Sequence, residues 1–434
     1  MIDAGSILIL VSSTIFLSYV SGIFYSKTKI PDIIWVLGLG ILLGPVLGFF
    51  KKESFLALSP LMSVVALCII LFDTGINMDL VVLVRSMVKS IGLFLATFVC
   101  NILLIGLYLI AVMPEDFNLL QAMLLGAMTG GTSTVAIYAV VDGIEKLMPK
   151  VESARAILLM ESIISDPVCI IVSIAFIRVI KGLELSILET LAGIVYILVI
   201  SFLFGFTVGL IWILSLRKLR ERRFNYILTV AAIFPIYLMA EQYIGEGGGA
   251  VAVMAFGLAM ANFKYIMERF GLAEDVSVVI LSLDKDRIRQ FHEEITFFIK
   301  SFFFVYIGLI VELSAKYMLV GLGIVALSAV LRYGVATAVG RFLKFSKEEL
   351  VLSRFIFANG LPALVMSQLP MIFDPARQFF PHPELYPNLC MPVVLGTVLY
   401  GALIGPLVAK RRLMKHEAEG VDLSPTDTPT GSQA

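Results

Sequence analysis

Two acidic side chains lie five residues apart in an apolar stretch long enough to cross a membrane, at Met160-Glu-Ser-Ile-Ile-Ser-Asp-Pro167. A charge inside a bilayer costs about 3 kcal/mol on insertion scales, so such residues indicate function. On a helix, Ser162 and Asp166 lie on one face because they are four residues apart. Pro167 cannot donate to the carbonyl of Ile163, which is therefore free near Asp166. Hydroxyl, carboxylate and carbonyl oxygens together suit a hard monovalent cation.

Asp166 is the predicted working acid of this segment. A carboxyl group in apolar surroundings holds a proton, whereas a nearby cation favours the ionised form, so proton and cation compete for one group. This competition is the physical basis of exchange. The alternative is that Asp166 only forms an immobile bridge with Lys300 or Arg332. Glu161, which shares its helix face with Ser165, is predicted to be structural. Its first candidate partner is Arg332 and its second is Lys300.

Composition places these residues in a membrane protein. The chain has 434 residues, of which 59% are hydrophobic and 15% are charged, against about 25% charged in soluble proteins. Apolar runs of about 20 residues separate the charges, as a helix needs to cross a hydrocarbon core of about 30 Å. Basic and acidic residues cancel, and no basic face remains for nucleic acid. The four cysteines have no ligand spacing, so neither a zinc site nor another cofactor is expected.

Hydropathy predicts thirteen membrane spans. Of the 33 Lys and Arg residues, 24 fall in loops after odd-numbered spans or in the C-terminal tail, six fall on the opposite side and three lie within spans. Cytoplasmic loops collect Lys and Arg, so the N-terminus is predicted outside the cell membrane and the C-terminus in the cytoplasm. The predicted spans centre near Ser12, Gly40, Val65, Ala96, Gly130, Pro167, Ile200, Ile233, Met254, Phe303, Val325, Leu361 and Gly401.

Two of these spans are predicted to be broken in the middle. Span 5 contains Gly130 and Gly131, and span 12 contains Asn359, Gly360 and Pro362. Pro removes a backbone donor and Gly lowers helix stability, so both spans should unwind where they are buried in protein or line a wet cavity. The breaks are seven spans apart, and an odd offset inverts the second copy. Interrupted helices at matching positions of inverted repeats indicate a transporter site, whereas ordinary kinks are the alternative.

The predicted fold is all-α, with two inverted six-helix repeats. A polar segment rich in Ser, Thr and Pro, residues 416–434, is predicted to be a disordered cytoplasmic tail. The loop of about residues 263–292 is predicted to be either an amphipathic helix on the cytoplasmic leaflet or a solvated loop. Glu241, near the outer end of span 8, is expected to reach toward the interface. The membrane domain, residues 1–415, is predicted to divide into repeat 1 at about 5–180, a linker helix at about 187–214 and repeat 2 at about 223–412.

In order and spacing, these motifs resemble the monovalent cation/proton antiporter superfamily from span 1 to span 13. Glu161-Ser-Ile-Ile-Ser-Asp166 is similar to the Glu-Ser-x-x-Asn-Asp motif of the archaeal NhaP-like Na⁺/H⁺ exchanger branch. Other similar segments are Gly40-Ile-Leu-Leu-Gly-Pro45 in span 2, Phe72-Asp-Thr-Gly75 in span 3, Gly247-Gly-Gly-Ala-Val-Ala252 in span 9 and Arg332 in span 11.

The resemblance implies an antiporter that serves pH homeostasis as a homodimer, with a core bundle that moves against a dimerisation domain in membrane lipid. Its transported partners would be H⁺ and a monovalent cation. The implied roles are ion and proton binding for Asp166, ligation for Ser162 and Thr132, an ion pathway for Asp73, and a structural pair for Glu161 and Arg332.

Two positions depart from that branch. Ser165 stands before Asp166, where the branch carries Asn and the electrogenic branch carries a second Asp, and it remains a candidate ligand. The span 5 crossing reads Thr132-Ser-Thr134, where the branch places an Asp after the Thr, and its hydroxyls resemble the branch that includes K⁺/H⁺ exchangers. With one essential acid, we expect electroneutral one-for-one exchange of H⁺ for Na⁺, with K⁺ as the alternative cation at Asp166.

Three other classes share parts of this pattern. A sodium-coupled organic anion symporter predicts basic groups at the site, and the lone acid next to Pro167 argues against it. A cation channel would conduct current without proton counterflow. A membrane-embedded enzyme is disfavoured because the spans lack a paired-Asp, His-rich or Ser–His set, and the chain is therefore not expected to be an enzyme. The three histidines, His292, His382 and His416, lie outside the predicted spans.

Overall fold

Helices form the regular structure of the described chain. The computed structural model describes residues 4–28, 31–50, 52, 55, 59–78, 80–133, 137, 151–183, 187–218, 225–269 and 285–421. No strand occurs within these ranges. In hydrocarbon every backbone polar group needs an internal partner, and a helix supplies those partners within one segment.

Seventeen helices follow one another through the described ranges. Two short π-helical turns lie among them, at Leu42–Val46 and Tyr400–Ile404. The helices are α1 (Ala4–Thr28), α2 (Asp32–Ile41), α3 (Ser59–Ile76), α4 (Leu80–Val112), α5 (Leu119–Met128), α6 (Glu152–Ile180), α7 (Ile187–Lys218), α8 (Asn225–Tyr243), α9 (Gly248–Ala261), α10 (Phe263–Arg269), α11 (Lys285–Ile310), α12 (Ala315–Phe342), α13 (Lys347–Phe355), α14 (Leu361–Met366), α15 (Leu369–Phe373), α16 (Leu385–Leu399) and α17 (Gly405–Val421).

Length and apolar composition qualify five helical segments of the described chain as membrane spans. They are Ser86–Val112, Glu152–Ile180, Leu188–Leu216, Ala315–Phe342 and Leu385–Leu413. The α9 and α10 pair, bent by 68°, qualifies as a sixth if it is one span. Six shorter apolar helices accompany them. Each predicted span centre lies in a helix or beside a helix end. The chain is thus a multi-pass membrane protein, while the count of thirteen crossings stays a prediction.

Local sequence explains where the interrupted helices begin. Asn118 starts α5 with a capping box, in which its side chain accepts from Gln121 N at 2.9 Å. Ser346 starts α13 in the same way, accepting from Glu349 N at 3.1 Å. These bonds satisfy amide groups that have no partner within the helix. Pro362 lies in the first turn of α14, where its missing N–H costs nothing.

Small residues let pairs of helices approach closely. A Cβ added at Gly75 of α3 would lie 2.1 Å from the carbonyl oxygen of Met254 in α9. One added at Gly40 of α2 would lie 2.2 Å from that of Val305 in α11. Contacts this close exclude any side chain, as is common where membrane helices pack. The second approach holds α11, which carries Lys300, against α2, whose Asp32 lines the same cavity as Lys300.

The described residues modify the predictions for one loop and for the C-terminal tail. Residues 263–269 form α10, and the basic residues from Lys285 onward belong to α11 rather than to a separate element. The apolar part of that loop, residues 270–284, lies outside the described residues. The predicted disordered tail is helical as far as Val421, because Lys, Glu and Ala in this stretch favour helix. The rest of the tail, residues 422–434, lies outside the described part.

Candidate functional site

Two helices are interrupted where the sequence predicts breaks. α5 ends at Met128, and residues 129–133 run on without helical structure. In the second interrupted segment, α13 ends at Phe355, residues 356–360 are not helical, and α14 begins at Leu361. The four predicted break residues at positions 130, 131, 359 and 360 lie inside these segments, and the predicted proline opens α14.

Hydrogen bonds join the two broken segments to each other. Ser133 N donates to the carbonyl oxygen of Ala358 at 2.7 Å. The side-chain amide of Asn359 donates to the carbonyl oxygens of Thr129 at 2.5 Å and Gly131 at 3.1 Å. The breaks therefore satisfy backbone groups that unwinding would otherwise leave unpaired in a buried place.

Asp166 lies on α6 against the broken segment of span 5. Gly131 lies next to these side chains, since a Cβ added there would be in ordinary van der Waals contact with Ser165 Oγ, at 3.4 Å, and Asp166 Oδ1, at 3.6 Å. Ser162 Oγ donates to the Thr132 carbonyl oxygen at 2.7 Å, and Thr132 N donates to Ser165 Oγ at 3.1 Å. Asp166 is only 8% exposed. The structure therefore brings the four predicted ligands of α6 and span 5 into one place.

The oxygens of these four side chains differ in the hydrogen bonds that they form. The hydroxyls of Ser162 and Ser165 each donate to a backbone carbonyl, so their oxygens can act only as acceptors or ligands. Thr132 Oγ1 is buried and has no hydrogen-bond partner among the described residues. Asp166 likewise forms no hydrogen bond or ion pair with a described residue. A buried carboxylate and a buried hydroxyl without partners are unusual, and together they suit a transported ion.

Both basic residues considered as partners of Asp166 are engaged elsewhere. Arg332, 1% exposed, donates through both terminal nitrogens to the Glu161 carboxylate, with the Nη2–Oε2 contact at 2.6 Å. Lys300 Nζ lies 3.1 Å from Asp73 Oδ2. Lys300 is close enough to Asp166 to interact with it electrostatically, without forming an ion pair. Glu161 thus has the first of its two candidate partners, and the immobile bridge considered for Asp166 is absent among the described residues.

Asp73 lies at a polar cavity rather than beside Asp166. The cavity has a volume of about 170 Å³, and Asp32, Glu293 and Lys300 also line it. The side chain of Asp73 is 16% exposed and that of Lys300 is 28% exposed. Three acids against one base make this cavity attractive to cations. Asp166 is not among the described residues of its wall.

Two residues have contacts that the sequence did not indicate. The sequence predicts Asn359 only as a helix breaker, whereas its side-chain amide joins the two breaks. The expectation that Glu241 reaches toward the interface was wrong. Its carboxylate oxygens accept from Gly247 N at 2.8 Å and Gly249 N at 3.0 Å, at the start of α9. An acid there satisfies free amides and opposes the helix dipole. The sequence signal for this contact is an acid six residues before the first glycine of Gly247-Gly-Gly249.

A family model described as "Sodium/hydrogen exchanger, transmembrane" matches residues 12–410. The chain therefore belongs to the sodium/hydrogen exchanger family. Members of this family are membrane antiporters for a cation and a proton, not enzymes. The family predicted from the motifs is confirmed.

Solved structures show the same fold. The chain is similar to the sodium proton antiporter MjNhaP1 from Methanocaldococcus jannaschii at pH 8, with a TM-score of 0.72 and 18% sequence identity over 94% of this chain and 99% of that one. An electron-microscopy map of MjNhaP1 matches with a TM-score of 0.67 and 20% identity, over 99% of this chain and 100% of that one.

Proposed function

We propose that this antiporter exchanges H⁺ for a monovalent cation at Asp166, with Na⁺ as the first candidate. One observation carries the proposal. Of the membrane acids Asp73, Glu161 and Asp166, the first two are paired with a cation, and the third has no such partner among the described residues. A buried carboxyl group without a fixed partner can exchange a proton for an ion, whereas a paired one cannot do so without breaking its bridge.

The proposed site alternates between two occupied forms. Protonated Asp166 is neutral and therefore tolerated in a buried position. When a cation enters, the carboxylate gives up its proton and ligates the ion together with Thr132 Oγ1. The Ser162 and Ser165 oxygens can complete the shell, as can the Ile163 carbonyl that Pro167 leaves without its helical donor. One positive charge replaces another, so the exchange would be electroneutral and one-for-one.

The proposed architecture has thirteen spans in two inverted repeats, with the N-terminus outside and the C-terminus in the cytoplasm. It would work by alternating access as a homodimer in the plasma membrane, with Asp73 on the ion pathway. The direct bonds between the two breaks support the repeats, because matching interrupted helices of inverted halves meet at a transport site. The distribution of Lys and Arg supports the orientation.

K⁺ is the alternative cation, and the span 5 crossing favours considering it. Residues 132–134 are all hydroxyl residues, so no acid lies at the crossing itself. Asn359 instead donates to two carbonyls of this segment. The family description favours Na⁺. Comparing the cations directly is therefore part of the test.

Transport by reconstituted protein tests the proposal. Acid-loaded liposomes should lose their pH gradient when Na⁺, Li⁺ or K⁺ is added, and the ranking of the three identifies the cation. Asp166→Asn should abolish this exchange, because an amide cannot trade a proton for an ion.

Asp116→Asn is the matched control. Unlike Asp166, Asp116 pairs with a lysine, Lys316, at 3.0 Å, and it lies in the loop between α4 and α5. This variant should exchange like the wild type. Robust exchange by Asp166→Asn, or an equal loss in both variants, would overturn the assignment of Asp166.

A further inference from the structure

An apolar groove lies on the exposed surface of the protein, between α4 and the end of α12. Its volume is about 690 Å³, within the range of roughly 300–1,000 Å³ that holds small-molecule ligands. Every residue that lines it is apolar, among them Met87, Val88, Gly92, Phe342 and Leu343. Val88 is 74% exposed and Phe342 is 85% exposed, so the groove is open to the surroundings of the protein.

The groove exists because of two features of the chain. Gly92 of α4 has no side chain, so no atoms from this position fill the groove. A Cβ added there would lie 2.8 Å from Leu343 Cδ1. α12 ends at Phe342, and Lys344 adopts a left-handed backbone conformation with a φ of 52°. The chain therefore turns away at the end of the groove and places a basic residue at its rim.

The rim of the groove carries a local excess of positive charge. Arg341, Lys344 and Lys347 are exposed and form no ion pair among the described residues. The neighbouring Lys89 is already engaged, since its Nζ lies 2.6 Å from Glu349 Oε2. Glu349 is therefore occupied by another partner, and residues 341–349 keep one further acid, Glu348, against the three basic residues of the rim.

We propose that this groove binds an anionic phospholipid from the surrounding leaflet. An acyl chain would cover the apolar walls, and the headgroup phosphate would contact Arg341, Lys344 and Lys347. A soluble anion would leave the apolar walls uncovered, and a neutral lipid would leave the cations without a partner. Basic residues beside grooves between membrane helices suit anionic headgroups of the cytoplasmic leaflet. This site does not depend on which cation the antiporter exchanges.

The bound lipid would stabilise the helices that hold the ion site. α4 packs against α6, where Ser90 Oγ donates to the Ile157 carbonyl oxygen at 3.0 Å. α12 carries Arg332, the partner of Glu161 on the same α6. A lipid lying between α4 and α12 therefore contacts two of the helices that are bonded to α6, the helix that bears Asp166. Thermal stability should therefore increase when the lipid binds.

Lipid binding to the purified full-length protein tests the site. Native mass spectrometry and melting curves in detergent would compare phosphatidylglycerol with phosphatidylcholine of the same acyl chains. Phosphatidylglycerol should bind at least about tenfold more tightly, and the combined Arg341→Gln, Lys344→Gln and Lys347→Gln variant should lose that preference. The combined Lys410→Gln, Arg411→Gln and Arg412→Gln variant is the matched control, because it removes three exposed basic residues of α17 outside the groove. It should keep the preference.

A second variant tests the apolar half of the site. Val88→Trp adds a bulky ring at an exposed position and should lower the occupancy of the tight phosphatidylglycerol site while leaving the melting temperature without lipid unchanged. Equal binding of the two lipids, or equal losses in both triple variants, would overturn the proposal. So would a lipid-independent dimer that Val88→Trp dissociates, because the groove would then be covered by a second copy of the chain.

Discussion

Glu161 and Asp166 lie five residues apart on the same helix, and both are buried, at 1% and 8% exposure. Glu161 accepts two bonds from the fully buried Arg332. Asp166 has no cationic partner among the described residues and faces a broken segment with a free hydroxyl. The comparison teaches that burial alone does not identify a transport acid. A charge that already has a fixed partner stabilises the fold, and one whose partner is missing is available to a mobile ion.

Breaking the Glu161 pair should have the largest effect on stability. Glu161→Gln would leave the Arg332 guanidinium uncompensated in a buried position, at a cost of about 3–5 kcal/mol. The change can be measured as the free energy of unfolding in mixed detergent micelles. Removing both charges, with Glu161→Leu and Arg332→Met together, should recover most of the loss. A single variant as stable as the wild type would contradict the structural role of this pair.

Removing the free hydroxyl beside Asp166 should affect ion binding rather than stability. Thr132→Val keeps the shape but deletes Oγ1, and it should raise the apparent KM for the cation about tenfold, which corresponds to about 1.4 kcal/mol. Thr132→Ser should restore the wild-type value. Thr129→Val is the matched control, because Thr129 Oγ1 donates to its own helix at the Leu125 carbonyl oxygen. An unchanged KM in Thr132→Val would remove this hydroxyl from the site.

The Asp73–Lys300 pair is less buried than the Glu161–Arg332 pair, and breaking it should change stability less. Its side chains are partly exposed at the polar cavity, so Asp73→Asn should cost less than about 1 kcal/mol. Exchange should slow mainly at low ionic strength, where the acidic cavity attracts cations most strongly. Transport rates at low and high salt, with an impermeant balancing salt, check this. A loss of stability as large as that of Glu161→Gln would place this pair with the structural bridges.

The sequence was sufficient wherever the signal was local. Gly130-Gly131 and Asn359-Gly360 predicted the two breaks because backbone conformation there depends on the residue types themselves. Asp166 with Pro167 likewise predicts a carboxylate near a carbonyl without its helical donor, and this stays a prediction. The helical positions of the span centres followed from hydropathy.

The remaining features depend on contacts between distant segments. The choice between Arg332 and Lys300 as the partner of Glu161 required the packing of α12 and α11 around α6. The same is true of the Asn359 amide, whose acceptors lie more than 200 residues away. Glu241 is a smaller case, because its cap depends on the turn between α8 and α9. Sequence spacing alone does not determine which side chains of distant segments come into contact.

Proton release on ion binding tests most directly that Asp166 is where proton and cation compete. Titration calorimetry of the purified protein in two buffers of different ionisation enthalpy gives the number of protons released per bound ion. At a pH where Asp166 is protonated in the free protein, the wild type should release about one proton per cation, and Asp166→Asn should release none. A wild type that binds the cation without releasing a proton, or an Asp166→Asn variant that still binds it with proton release, would contradict the account.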